Sequence, residues 1–335
     1  MDFSFSTEMF PDILLWSLLF IGGYIIIYFL ADLIIDTLED ISESFSISPI
    51  VLGLLVLGID LEESIVSLAA AIEGLPYLAL GNLIGNTVIA IGIAFGLPAL
   101  YLKAEIDQLP RFYYAELVGA GAIVLISMAL TSLLILFGVL SIILFIVHLA
   151  YTLRIQREFR SSNLRIKQVE QDTSEEKHND GDTKSKNRVQ TVIKLLLALI
   201  VIFIGAEVLV FSAEELVILT GLNETFFGLI IMAAVTNVEE FWLIVKSINK
   251  GRIELGVSAQ VGKIVWNITI IFGLCCLLLF QFAFETIMLL SSIPFIFALV
   301  LLAVNLKQNR SSRAAGIGYL LLLLIFLALN SLFIF

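Results

Sequence analysis

Asp60, Glu62 and Glu63 interrupt one long apolar run of this chain, Glu239 and Glu240 interrupt a second, and Lys263 a third. Neutral oxygen-bearing side chains recur nearby: Asn86 and Thr87, Thr236 and Asn237, and Asn267. Carboxylates, amides, hydroxyls and freed backbone carbonyls are the donor set of a hard cation, and Ca2+ takes about six to eight such oxygens at about 2.3–2.6 Å. Asp60 and Glu63 are three residues apart and share a helix face, as do Thr236, Asn237 and Glu240. Asn86, Thr87 and Asn267 approach from two further helices. Gly81, Gly85 and Gly262 let those helices come close and can leave carbonyls free as ligands. Glu62 and Glu239 point about 100° away from their neighbours, toward an access path, a proton-accepting position or another helix. Lys263 either holds its ammonium beside the carboxylates or snorkels along its helix.

The elements that position these residues follow from composition. The chain has 335 residues, 59% hydrophobic and 15% charged, with a mean hydropathy of +1.03. A soluble domain is about 25% charged, so polar residues are too few here to cover a soluble surface. A net charge of -11 with 19 basic residues excludes a nucleic-acid binder, and the hydrophobic content excludes a disordered chain. A membrane-spanning helix needs about 20 apolar residues, and ten spans can be placed. They are 13–30, 49–71, 74–102, two within 117–151 that turn near Thr131 and Ser132, then 195–211, 226–245, 255–279, 286–306 and 316–335. Ionisable groups inside a membrane cost about 2.5–3.5 kcal/mol each on translocon scales and mark function by default. His148, alone on an apolar helix, reads as a satisfied interior group rather than a ligand. Cys275 and Cys276 are adjacent and offer neither a disulfide framework nor a zinc spacing. The first apolar run reads as a span, without the basic leader of a signal peptide.

Basic residues set the expected orientation. Lys103 and Arg111, the ten from Arg154 to Lys194, Lys246, Lys250 and Arg252, and Lys307, Arg310 and Arg313 all fall in gaps on one side of a ten-span layout. That side is cytoplasmic by the positive-inside rule. Both termini are then outside a cell membrane. The polar stretch 154–190 reads as a flexible cytoplasmic loop between a first half, 1–153, and a second, 191–335. The expected class is an all-α integral membrane protein of ten helices in two inverted five-helix repeats.

The halves resemble each other. GIDLEESIVSLAAAIEGLPYLALGNLIGNTVIAIGIAFG begins at Gly58, and VTNVEEFWLIVKSINKGRIELGVSAQVGKIVWNITIIFG begins at Val235. In each, a glycine follows the second Glu by 22 residues, Gly85 after Glu63 and Gly262 after Glu240. With five spans in each half, the second sits inverted relative to the first. Inverted repeats with glycine-interrupted polar helices mark secondary transporters.

On these residues, with ISPIVLGLLVLG from Ile47 to Gly58 and GAEVLV from Gly205 to Val210, the chain resembles the cation/calcium exchanger superfamily. The likeness spans the repeats at about 47–96 and 226–273 and the ten-span layout. It implies that the second and seventh helices cross the third and eighth at a central cation site. Matched residue by residue, Glu63 and Glu240 take the two central acidic positions. Asn86 and Lys263 take two Ser positions, Ala90 and Asn267 the Asn/Asp positions four residues later, and Asp60 and Asn237 the position three before each Glu. Thr236 matches the Thr of the sodium/calcium type. Lys263 for Ser, Ala90 for Asn, and Glu62 and Glu239 where Pro is frequent are departures from the pattern.

The resemblance implies alternating-access antiport, exchanging Ca2+ against Na+ or H+, with no cofactor beyond the transported ions. The lipid bilayer and inorganic cations are the expected partners, and no nucleic acid is. Lys263 and Ala90 support a second reading: a relative with other cation specificity, uncoupled transport or ion sensing, in which the Lys263 ammonium replaces a bound monovalent ion. No HExxH, GxGD or P-loop is present, so an enzyme is not expected.

Overall fold

Backbone amides in a hydrocarbon solvent have no water to bond, so long apolar runs are held as helices. This holds throughout the computed structural model, which describes residues 10–45, 49–101, 109–171, 183–234, 237, 240, 244–245, 247–248, 253–279, 283–308 and 312–333. Among the described residues all regular structure is helical. The elements are α1 (Phe10–Phe45), α2 (Pro49–Val51, running on through a π-helical turn, Leu52–Leu57), α3 (Leu61–Ile72) and α4 (Pro76–Tyr101). Then come α5 (Arg111–Ala129), α6 (Leu134–Gln171), α7 (Thr183–Thr220) and α8 (Glu224–Phe226, running on through a π-helical turn, Phe227–Met232). Last are α9 (Ile253–Trp266, continued by a π-helical turn, Asn267–Ile271, and Phe272–Leu279), α10 (Thr286–Gln308) and α11 (Arg313–Ser331).

Among the described residues six stretches are long and apolar enough to cross a membrane: Pro76–Tyr101, Arg111–Ala129, Thr131–Glu158, Leu255–Leu279, Thr286–Gln308 and Arg313–Ser331. They coincide with six of the expected spans, and the turn expected near Thr131 is a short 3-10 segment, Thr131–Leu133. The first and sixth spans fall inside α1 and α7. The second is divided between α2 and α3. The seventh begins in α8 and continues through 233–248, where the described residues are helical.

The stretch expected to be a flexible loop, 154–190, is helical at both ends. Helix α6 continues to Gln171 and α7 starts at Thr183, and only 172–182 lies outside the described residues. Arg, Gln, Glu, Lys and Leu are good helix formers, and Arg154 Nε donates to Glu158 Oε1 at 3.1 Å one turn on.

Of the six apolar stretches, those in α4 and α9 are the most enclosed, whereas those in α6 and α11 are the least. Leu14, Phe29, Ile146, Ile204 and Leu324 lie on the exposed faces, the surface an apolar solvent calls for. Each broken helix packs on a long enclosed one: α2 against α9, and α8 against α4. Helix α1 runs along α7, α6 lies along the last turns of α9, and α10 sits between α5 and α11. Gly74, with φ 77°, turns the chain between α3 and α4. Glu224 fixes the start of α4 from α8, its Oε1 accepting from Leu78 N at 3.1 Å.

His148 is the satisfied interior group that its place on an apolar helix suggested. Its Nδ1 lies 2.7 Å from Glu116 Oε2, with both side chains buried. Helix α5 begins at Arg111, six residues before the expected start at Leu117, and so carries Glu116 inside. The His148 ring also stacks on Phe145 and meets Tyr113 edge-on. Tyr113 Oη and Thr152 Oγ1, 2.7 Å apart, tie the same two helices one turn further on. Removing one partner of a buried ionisable pair costs about 3–5 kcal/mol. His148→Ala is therefore expected to lower the thermal unfolding midpoint in detergent by far more than Glu116→Gln, which keeps a hydrogen-bonding group opposite the imidazole. Equal midpoints for wild type and His148→Ala would show that the pair holds nothing together.

Candidate functional site

The site is built on a break in the chain. After the π-helical turn Leu52–Leu57 the helix stops at Gly58, and α3 restarts with Asp60 as its N-cap. Asp is a preferred N-cap, and a Glu three residues on is the usual companion. Here Asp60 Oδ1 accepts from Glu63 N at 3.3 Å. Both carboxylates thus sit at the N-terminus of α3, where the helix dipole favours negative charge. Ser64 Oγ donates to the Asp60 carbonyl, and Trp266 Nε1 of α9 donates to Ser64 Oγ at 2.6 Å.

Helix α4 supplies two amides on one face. Asn86 Nδ2 donates to Glu63 Oε1 at 2.6 Å, and Asn82 Nδ2 donates to Glu63 Oε2 and, at 3.2 Å, to Ser67 Oγ. From α9, Asn267 Nδ2 donates to Asp60 Oδ2 at 2.9 Å. Asn237 Nδ2 donates to Ala233 O at 2.7 Å and to Asn86 O at 3.4 Å. Gln260 Nε2 donates to Glu240 O at 3.3 Å. Asp60, Glu63, Asn82, Asn86, Asn237, Glu240, Gln260, Lys263 and Asn267 are all buried, Lys263 being 5% exposed. Gln260, Lys263 and Asn267 follow at i, i+3 and i+7 along one face of α9. Among the described residues no three His, Cys, Asp or Glu side chains converge on a point; amides hydrogen-bond to the acids instead.

Four buried oxygens in this cluster, Asn82 Oδ1, Asn237 Oδ1, Gln260 Oε1 and Asn267 Oδ1, accept no hydrogen bond. A buried unsatisfied acceptor costs about 1–3 kcal/mol. Amide and carboxylate oxygens without facing donors are what a hard cation takes.

Small residues make the crossing possible. A Cβ on Gly85 would lie 2.0 Å from Leu229 O, and one on Gly262 would lie 2.7 Å from Leu54 O and 2.8 Å from Gly58 Cα. At Gly81 the nearest atom is Leu229 N at 3.2 Å. The facing glycines, Gly53 against Ser258 and Gly228 against Leu78, complete the two crossings; the sequence reading had not singled them out.

Of the expected site residues, Asp60, Glu63, Asn86, Asn237 and Asn267 are joined by this hydrogen-bond network, whereas the Glu240 carbonyl is held separately by Gln260. Thr87 Oγ1 instead donates to Leu83 O of its own helix at 2.9 Å. Thr236 and Glu239 lie outside the described residues, as does the Glu62 side chain. Asn82, Ser67, Gln260 and Trp266 were missed. Asn82 stands four residues before Asn86 and Gln260 three before Lys263, so helix periodicity from residues already chosen would have found both.

Residues 15–154 and 191–332 match the model of the family described as sodium/calcium exchanger protein. The chain is 27% identical over 275 residues to the inner membrane protein YrbG of Escherichia coli, covering 79% of this chain and 80% of that one. It is 24% identical over 232 residues to the uncharacterized membrane protein MJ0091 of Methanocaldococcus jannaschii, covering 66% and 68%. Among solved structures it resembles the sodium-calcium exchanger NCX_Mj soaked with 10 mM Na+ and zero Ca2+, with a TM-score of 0.65 at 21% identity over 94% of this chain and 99% of that one. The same exchanger soaked with 10 mM Na+ and 10 mM Sr2+ also gives 0.65, at 21% identity over 94% and 98%. These likenesses show the fold.

Proposed function

Since the chain belongs to the sodium/calcium exchanger protein family, a family of transporters rather than enzymes, we propose that it is a secondary active antiporter exchanging Ca2+ against Na+ or H+ by alternating access. One observation carries this reading. The buried carboxylates at the N-terminus of α3 are ringed by amides from α4 and α9, and four of the amide oxygens in the cluster are left without donors. Glu63, Glu240, Asp60, Asn86, Asn237, Thr236 and Asn267 would supply the cation's oxygens, with Asn82 and Gln260 added to that set.

The reading includes ten spans in two inverted five-helix halves, 1–153 and 191–335, joined by the segment 154–190 on the cytoplasmic side of a cell membrane, with both termini outside. Two likenesses between the halves support it. The π-helical turns Leu52–Leu57 and Phe227–Met232 sit alike ahead of Glu63 and Glu240, and Ile91–Phe95 and Asn267–Ile271 sit alike after Gly85 and Gly262. Each broken helix also crosses the long helix of the other half.

A second reading has its own observation: Lys263 is buried on the α9 face between Gln260 and Asn267, where its ammonium can stand for one bound monovalent ion. Other cation specificity, uncoupled transport or ion sensing would then follow.

Ca2+ flux in proteoliposomes, with a Na+ gradient at fixed pH and separately a pH gradient at fixed Na+, tests the proposal. Ca2+ is expected to follow one of the two gradients. Tight vesicles holding folded protein that move no Ca2+ under either gradient would overturn antiport and leave the second reading.

A further inference from the structure

Lys263 also bears on how much charge each cycle moves. Its helix face is bracketed by two contacts: Gln260, one turn before it, holds the Glu240 carbonyl at 3.3 Å, and Asn267, one turn after it, holds the Asp60 carboxylate at 2.9 Å. The side chain therefore leaves α9 between the elements that carry Glu240 and Asp60. Gly262 beside it brings the α9 backbone against Gly58, two residues before Asp60. Lys263 is 5% exposed, and Asp60, Glu63 and Glu240 are 2%, 1% and 2% exposed.

Resting on the antiport reading, we propose that Lys263 makes the exchange electroneutral: one divalent cation moves against two monovalent cations in each cycle. Three carboxylates and one ammonium sum to a charge of about −2. A loaded site crosses a low-dielectric barrier at least cost when its total charge is near zero. One divalent ion brings this site to zero, and so do two monovalent ions. Both limbs of the cycle then move no net charge, and the membrane potential has no purchase on either. Without the ammonium the site sums to about −3. Three monovalent ions neutralise it, a divalent ion leaves one negative charge, and each complete cycle moves one charge. The proposal is the same whether the monovalent partner is Na+ or H+, because it depends only on charge.

The test is Ca2+ accumulation by the full-length protein in tight liposomes under a fixed Na+ gradient, and in a parallel series a fixed pH gradient. In each series the membrane potential is set at 0 and then at 100 mV. The wild-type Ca2+ ratio at steady state is expected to be the same at both potentials. One charge per cycle would instead shift that ratio by about 50-fold per 100 mV, and such a shift in the wild type overturns the proposal. It is also the result that charge carried into the site by Glu62 or Glu239 would give. Lys263→Ser is expected to acquire the 50-fold shift, whereas Lys263→Arg, which keeps the charge, is expected to stay insensitive. A Lys263→Ser protein that exchanges without responding to voltage equally overturns the role of the ammonium. Where Lys263→Ser does not fold, the wild-type and Lys263→Arg series decide the matter. An absence of wild-type exchange under both gradients is a different result: it overturns the antiport reading on which this one rests.

Discussion

Glu63→Gln is expected to lower Ca2+ transport at least about 30-fold while the protein stays folded. Gln has the shape of Glu, so the volume beside α4 is kept. The charge is lost, and with it a hydrogen-bond pattern. Both Glu63 oxygens accept from amide NH2 groups, Asn86 on Oε1 and Asn82 on Oε2. A Gln amide would set its own NH2 against one of these donors, and one Asn would have to turn its oxygen inward. Truncating one member of a buried, hydrogen-bonded charge pair costs about 2–5 kcal/mol, and the lower figure already corresponds to about 30-fold. Glu63→Asp keeps the charge and withdraws it by one methylene, so it should lie between wild type and Glu63→Gln. A second readout separates binding from folding. Ca2+ should raise the unfolding midpoint of the wild type in detergent, since a ligand at about 100 times its dissociation constant stabilises by about 2.7 kcal/mol. The midpoint of Glu63→Gln should hardly respond. Transport and Ca2+ response equal to wild type in Glu63→Gln would remove Glu63 from the site.

How much of this site was legible beforehand depended on the kind of interaction. The spans at Pro76–Tyr101, Arg111–Ala129 and Leu255–Leu279 were legible because a hydrocarbon solvent leaves an apolar run little choice but a helix. Glu63, Asn86, Asn237 and Asn267 were legible because carboxylates and amides inside such runs are costly enough to require a reason. Cross-helix register was not legible. That Asn86 and Asn82 take one oxygen each of Glu63 depends on the rotation of α4 against α3, and that Gln260 reaches the Glu240 carbonyl depends on where α9 passes. Glu116 was lost for a related reason. A charge six residues into a helix reads as the edge of a span until its partner is known, and His148 lies 32 residues away on α6. The helical ends of 154–190 were missed because a polar composition was read as lacking a core, while α6 and α7 extend into it from segments that already have one.

Gly85→Ala and Gly119→Ala change the same atom count in two helices and are expected to act with opposite sign. Replacing Gly by Ala inside a helix gains about 0.5–1 kcal/mol from backbone entropy. Gly119 in α5 has nothing within 4 Å of an added Cβ, so that gain should appear as a slightly raised unfolding midpoint with transport unchanged. At Gly85 the added carbon would stand 2.0 Å from Leu229 O and 2.9 Å from Ala233 Cβ. The nearer atom is backbone in a π-helical turn and has no rotamer to swing away, so α4 and α8 must part by more than an ångström. Overpacking a fitted contact costs about 1–3 kcal/mol even where side chains can adjust, and this contact cannot. Gly81→Ala meets its first atom at 3.2 Å, a clash of a few tenths of an ångström, and should be the milder of the two. The separation also reaches the site directly. Asn86 is the next residue on α4 and holds Glu63 Oε1 at 2.6 Å, while its carbonyl faces Asn237 from the other half. Gly85→Ala protein that still folds should therefore have lost most of its Ca2+ transport, whereas a stability defect alone would leave the folded fraction fully active. Transport per folded molecule, compared across Gly81→Ala, Gly85→Ala and Gly119→Ala, separates the two. If Gly85→Ala matches wild type in both midpoint and flux, α4 and α8 do not cross as closely as their glycines require.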